Sequence, residues 1–502
     1  MRDRRSFLRL RRPAAPPTAR AADLSPYVPS ASDPWDETKV RHLLRRVSVG
    51  ASPDDVRRIL GETPEAAVDR IVDAAVRRPG LPEPDWIGLV HPKRGEDDTA
   101  FKEVQDRAYD ELYHGTIRRL LGGGLADPTE RLGESLRERM TVFWSNHYVA
   151  GKVMPPWVFR YRSLLRDRAF GDVRETVHAI GTTALMLRYL DGHLNRKGAP
   201  NENYARELLE LFTMGIAGPD GTPNYTQADV SELARALTGW RVTATETPFV
   251  TFAPGRFDGG EKTVFGRTGA FGYDDVVPLL FEARGAQIAH FLAAKLYREF
   301  VSLDPDAGVI AGLAARLVAS EFRIEPVVRA LLKSAHFYDD THVGALVKSP
   351  AEFVLGLPLP PDADPEAAHE QVVRYKNNMR KLGQDLLEPP DVKGWRDGEA
   401  WINTSTLLER VRYGQWEVNV HRRSLADAAA DRPAAFEARA LAGELCAELF
   451  ARPPGDDDLD DLTEALLAGT PAEAWDPTES GGRQRVPAYV QHLVALPDYQ
   501  LR

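Results

Sequence analysis

The chain has 502 residues, of which 43% are hydrophobic and 27% charged; this is the globular range, with room for about two to four domains. Its 64 Lys and Arg against 74 Asp and Glu leave a net charge of -10, which repels a phosphate backbone and excludes nucleic acid as the main partner. No apolar run reaches the roughly 18 residues of a membrane-spanning helix, so no transmembrane segment is expected. Cys446, the only cysteine, makes neither an internal disulfide nor a multi-cysteine metal site. A soluble, acidic, mostly helical globule is expected.

Residues 1–22 stand apart. Arg4-Arg5-Ser6-Phe7-Leu8 resembles a twin-arginine export signal. The place of the apolar h-region, however, is taken by Arg9, Arg11, Arg12, Pro13, Pro16, Pro17 and Arg20. Residues 1–30 are therefore read as a disordered basic arm, and a cytoplasmic location is favoured over a periplasmic or exported one.

From residue 36 onward a helical period dominates. Val40, Leu43, Leu44 and Val47 form an i, i+3, i+4, i+7 stripe and predict a helix over 37–47. Ser52 reads as an N-cap with Pro53 at the first helical position of the next helix. Further helices are predicted over about 64–77, 99–120, 128–146, 155–168, 172–187 and 200–214. Thr226-Gln-Ala-Asp229 is a capping box for a helix that buries Val230, Leu233 and Leu237 and stops at Gly239, which makes Asp229 structural.

Beyond Trp240, β-branched and aromatic residues over 241–253 predict a short hairpin or extended insertion near 241–265. Helices resume at about 273–282, 284–299, 307–319, 323–335, 345–355, 365–385 and 404–417. Pro358, Pro360, Pro361 and Pro389-Pro390 mark loops. The acidic run at Asp456–Asp461 lacks calcium-loop spacing and reads as negative charge at a helix N-terminus. The fold class is thus all-α with a short β insertion: a disordered arm over 1–30, a large helical domain over 31–424 and a smaller helical part over 425–502 packed on it.

Four segments carry the polar residues of interest. On a helix over 201–212, Glu202, Asn203, Arg206, Glu207 and Glu210 fall opposite Tyr204, Leu208, Leu211 and Phe212. That polar arc is either a solvated face with Arg206 paired to Glu202 and Glu210, or the lining of a cleft whose carboxylates act as acid or base. Asn146 and His147 end the 128–146 helix beside Trp144 and Tyr148. Asp258 and Lys262 rim a glycine-bearing turn. Lys393, Trp395, Trp401 and Asn403 lie in a loop that suits either a carbohydrate-like ligand or self-pinning by its own aromatic rings. The common nucleotide, nicotinamide, zinc-peptidase and esterase signatures are missing, and no metal site is assigned. No cofactor is assigned either.

These segments resemble those of the bacterial domain-of-unknown-function family numbered 1800. The resemblance rests on His42-Leu-Leu-Arg-Arg46, Phe143-Trp-Ser-Asn-His147, Asn201 to Phe212, and Tyr225 to Trp240. It extends through Lys262-Thr-Val-Phe-Gly266, Lys348-Ser-Pro-Ala-Glu-Phe353 and Pro390-Asp-Val-Lys-Gly-Trp395 to Trp401-Ile-Asn-Thr404; nothing beyond residue 425 contributes. It implies a bacterial protein that often looks exported and that neighbours a sulfatase-like or phosphatase-like protein, and it supplies no catalytic residue. Relatives commonly carry His where this chain has Ser145 and Phe257, so a site of His147, Asp258 and glutamates here would favour hard cations over zinc.

Two functional readings follow. The favoured one is a non-enzymatic helical scaffold or partner protein of an exported or envelope-associated system. The other is a carboxylate- and histidine-based hydrolase or lyase, with or without a metal. It is built on Glu207 as proton acceptor, Lys262 as charge stabiliser, His147 beside them and Trp395 or Trp401 as a stacking wall. In that second reading Asn146, Glu202, Asn203, Arg206, Asp258, Lys393 and Asn403 bind the ligand.

Overall fold

The computed structural model describes residues 24–50, 52–357 and 365–502. Most of the arm expected over 1–30, and the loop marked by Pro358, Pro360 and Pro361, lie outside those residues. Within the described part of the arm, the Tyr27 amide donates to the Lys333 carbonyl at 2.8 Å and the Ala335 amide to Ser25 at 2.8 Å. Tyr27 is buried against Trp35 and Tyr338, so residues 25–27 are tied to the helical body.

The chain is 60% helical, with 20 α-helices and two small antiparallel two-stranded sheets among the described residues. The helix starts follow local chemistry. Asp36 accepts from the Lys39 amide to open Glu37–Val47, and Ser52 accepts from Asp55 to open Pro53–Leu60 with proline at the first position. Thr226 and Asp229 complete the reciprocal capping box of Gln227–Ala236, and the second oxygen of Asp229 accepts from the Phe265 amide at 2.7 Å. Asp456, Asp457 and Asp458 fill the first turn of Asp456–Leu467, where the helix dipole favours them.

Three elements differ from the sequence reading. The helix expected over 172–187 is two, Val173–Ile180 and Ala184–Tyr189. Gly181 lies against the Tyr204 and Tyr273 hydroxyls, which occupy the space a side chain would need, and Thr183 caps a fresh start. The helix expected over 200–214 is α-helical only at Asn203–Glu207 and continues as a π-helix at Leu208–Thr213. The helix expected over 345–355 begins only at Pro350, where Ser349 caps it, whereas the helices expected at 273–282 and 284–299 are present as two arms of Tyr273–Phe300 that meet at a kink, Arg284, with non-helical φ -135° and ψ 20°.

The β insertion is two hairpins. Strand β1 (Trp240–Val242) pairs with β2 (Val250–Phe252), Trp240 opposite Phe252. Strand β3 (Lys262–Val264) pairs with β4 (Arg267–Gly269) across a two-residue turn. Phe265 and Gly266 both take positive φ there, the geometry that matches the twist of a tight hairpin.

Apolar side chains collect in two cores. One draws on residues from Tyr27 to Tyr338; the other combines Ile117 and Leu120 with residues from Ala351 to Tyr499. Residues 425–502 therefore share a core with the helices that follow Pro350.

Candidate functional site

A cleft of about 440 Å³ opens between the end of the Pro128–His147 helix, the second half of Tyr273–Phe300 and the loop from Lys393 to Trp401. Its position is set by an unusual joint. The Trp395 amide donates to Asn146 Oδ1 at 2.6 Å, and the turn before it needs Gly394 at φ 88°. A Cβ there would lie 2.6 Å from the Asn146 carbonyl oxygen and closer still to the side-chain oxygen. Glycine is thus required both by backbone sign and by contact. This joint brings two sequence segments about 250 residues apart into one wall, with Trp395 and Trp401 buried in it.

Under the cleft lies a cluster of buried ions. Arg139 binds Glu299 and Glu352 at 2.7 Å each, and Arg502 reaches Glu352 at 2.9 Å. Complete burial pushes the Glu352 carboxyl up, but Arg502 and Arg139 outweigh it and hold the group at about 2. Glu352 also accepts from the Ser349 amide at 2.8 Å, which ties the cluster to the cap of Pro350–Leu355. Arg298 pairs with Asp397 at 2.8 Å across the mouth.

His147 is buried in the same wall. Its Nε2 faces the Phe212 carbonyl of the π-helix at 3.0 Å, while Nδ1 has no hydrogen-bond partner. Burial, and then the Lys295 charge, hold its pKa well below the ordinary histidine value, so the ring is neutral at pH 7. The bond to Phe212 makes Nε2 the protonated nitrogen and leaves Nδ1 as an acceptor.

Of the residues singled out in the sequence, Asn146, His147, Lys393, Trp395 and Trp401 line this cleft. The others do not. Glu207 sits half-buried at the junction of the α- and π-helical turns, near enough to Lys393 to feel its charge. Burial, then Glu210, raises the Glu207 pKa above the ordinary value, and no hydrogen bond holds its carboxylate among the described residues. Glu202 accepts from Arg206 and Gln227 at 2.9 Å each and from the Ser231 hydroxyl. Asn203 is exposed at the start of its helix.

Lys262 belongs to a different neighbourhood. Its buried ammonium donates to the Phe271 carbonyl at 2.7 Å and to that of Asp258, and it lies over the Phe257 ring. Asp258 is bound by Arg235 at 2.9 Å. The charged groups around Lys262 are Asp258, Arg235, Glu232 and Asp275, none of which surrounds Glu207 or His147. Asn403 caps Thr404–Val420, accepting from Ser405 and Thr406 at 3.0 Å each. Sequence reasoning missed Arg139, Lys295, Arg298, Glu352, Arg396 and Arg502 as cleft residues. One signal was present: Phe291, Lys295 and Arg298 repeat at i, i+4, i+7 beside the apolar Ile288, Leu292, Leu296 stripe.

Fold and site together define a large helical protein with a basic, tryptophan-walled cleft over a buried ion cluster, and no group of three or more metal-ligating side chains among the described residues. The chain belongs to the family described as "Protein of unknown function (DUF1800)", whose model matches residues 42–501 and so takes in the C-terminal helices as well. No curated protein and no solved structure matches it.

Proposed function

We propose that the protein is a non-enzymatic helical scaffold that docks a partner protein, the sulfatase-like or phosphatase-like neighbour implied by the family resemblance being the candidate. The observation that carries this reading is the outer face of the Thr404–Val420 helix. Leu408, Trp416 and Val420 are 49%, 47% and 44% exposed there, and at helical spacing they fall within an arc of about 120°. Half-exposed tryptophan flanked by aliphatic groups is the composition of a docking hot spot. Supporting it, two of the groups suited to charge or proton chemistry are already engaged, Lys262 by carbonyls and Asp258 by Arg235.

Co-expression of the two full chains followed by size-exclusion chromatography tests the proposal. They are expected to elute as one complex, and Trp416→Glu is expected to separate them while leaving each folded. Separate elution of the wild-type pair would overturn it.

A second reading, a carboxylate-based enzyme, is favoured by one observation: Glu207 has a raised pKa and an unengaged carboxylate at a π-helical turn, a feature frequent at functional sites. Turnover of any ester, glycoside or amide that is abolished by Glu207→Gln without loss of thermal stability would replace the scaffold by this reading.

A further inference from the structure

The charges around the cleft do not balance. Six cations line it, Arg139, Lys295, Arg298, Lys393, Arg396 and Arg502, against the carboxylates Glu299, Glu352 and Asp397. All three carboxylates are taken: Glu299 and Glu352 by Arg139 and Arg502, and Asp397 by Arg298. Lys295, Lys393 and Arg396 make no salt bridge among the described residues, and a carboxylate outside the cleft, Glu207, senses Lys393. This happens in a chain whose overall charge is -10, so the local excess is not a consequence of composition.

The neutral groups point to the same ligand. Because Asn146 Oδ1 accepts from the Trp395 amide, the Asn146 amide nitrogen is the end left to donate. The Trp395 indole N–H is buried, has no acceptor, and belongs to a side chain only 7% exposed. An orphaned buried donor is costly unless something accepts from it. The Lys295 ammonium is in a similar position: it lies over the Phe291 ring, 5.2 Å from the centroid, and makes no salt bridge among the described residues. Burial, and then Arg298, hold its pKa below the ordinary lysine value, as expected of a cation short of counter-charge.

From this surplus of donors facing one apolar-walled recess we infer that the cleft is a binding site for a small organic oxyanion, a carboxylate or phosphate head carried on a ring or other apolar body. The head meets Lys295, Lys393 and the Asn146 N–H group, and the body lies against Phe143, Trp395 and Trp401. About 440 Å³ is the size of a site for one small molecule. This inference goes beyond the docking proposal, concerns a different surface, and stands or falls separately from it.

Isothermal titration of the isolated full chain at low ionic strength, with benzoate and with inorganic phosphate, tests it. Binding of at least one probe is expected, weakened by added salt. Lys295→Met and Lys393→Ala are each expected to weaken it about tenfold, the loss of one charge-assisted contact. Arg57→Ala, on the exposed surface, is expected to leave it unchanged. Benzoate binding without phosphate binding assigns a ring-bearing carboxylate; the reverse assigns a phosphate head. Failure of both probes, or retention of wild-type affinity in Lys393→Ala and Lys295→Met together, overturns the inference. Neither result bears on co-elution with a partner protein.

Discussion

Glu352 joins the second core to the floor of the cleft, and Glu352→Gln removes its charge while keeping its shape. In the folded protein this carboxylate is held at about 2 against an ordinary 4.5. At ~1.4 kcal/mol per pKa unit that depression is worth roughly 3 kcal/mol of stability at neutral pH. After the substitution Arg139 keeps Glu299 at 2.7 Å, but Arg502 is left with Glu299 at 3.9 Å. A buried guanidinium left with only this longer contact therefore sets the cost at about 3 kcal/mol. The sign of the pH dependence is fixed by the direction of the shift. A depressed carboxyl stabilises fully above its unfolded value, and that contribution is lost as pH falls toward its folded one. Urea unfolding of wild type and variant is expected to show a constant gap from pH 7 to 5, narrowing by about 2 kcal/mol at pH 3. Equal stability at pH 7, or a gap that does not change between pH 5 and pH 3, would refute the reasoning.

Other expectations follow from single contacts. Gly394→Ala places a methyl group against Asn146 at a positive φ, and is expected to cost roughly 1–3 kcal/mol and to shift the tryptophan emission as Trp395 loses its seat. Thr226→Ala removes one half of the capping box and is expected to cost about 1 kcal/mol in thermal unfolding, with Asp229→Ala costing more because Phe265 also loses its acceptor. Glu207→Gln is expected to raise the melting temperature at pH 7, because a raised carboxyl pKa makes the charged form costlier in the folded chain than in the unfolded one; this gain should shrink as pH falls through the raised folded value and be gone below the ordinary 4.5. His147, held neutral by burial, is expected to show no NMR titration between pH 6 and 8.

The elements most legible in the sequence were those with both a cap and a stripe. Glu37–Val47, Pro64–Arg77 and Ala307–Ala319 coincide with their predicted spans, and so does Thr99–Leu120, which has a stripe but no side-chain cap. Breaks were harder, because their causes are tertiary: Gly181 interrupts a helix through two tyrosine hydroxyls that come from Tyr204 and Tyr273. Buried charge was the least legible. Glu138 looks like a surface residue of an amphipathic helix, yet it is fully buried, with Arg119, Arg162 and Arg166 at 2.9, 3.0 and 3.1 Å. Arg46 likewise spends its donors on the Phe300 and His342 carbonyls, at 2.9 and 3.1 Å. Nothing in local spacing announces such partners, because each comes from a distant helix.

The same limit shaped the candidate site. Asn146, His147, Lys393, Trp395 and Trp401 were singled out by their residue types, and the structure places all five around one cleft. Lys262 and Asp258 were singled out on the same grounds, but the β3–β4 hairpin and Arg235 hold them elsewhere. Two of the six cations of the cleft, Lys295 and Arg298, come from a helix whose polar face the sequence reading did not use.

A crystal structure of the full chain grown with 4-bromobenzoate, with data collected at the bromine edge, tests the claim about the cleft most directly. The account expects an anomalous peak between Phe143, Trp395 and Trp401, with the carboxylate density within hydrogen-bonding distance of Lys295 or Lys393. Bromine only on the outer surface, with the cleft filled by water, would contradict it.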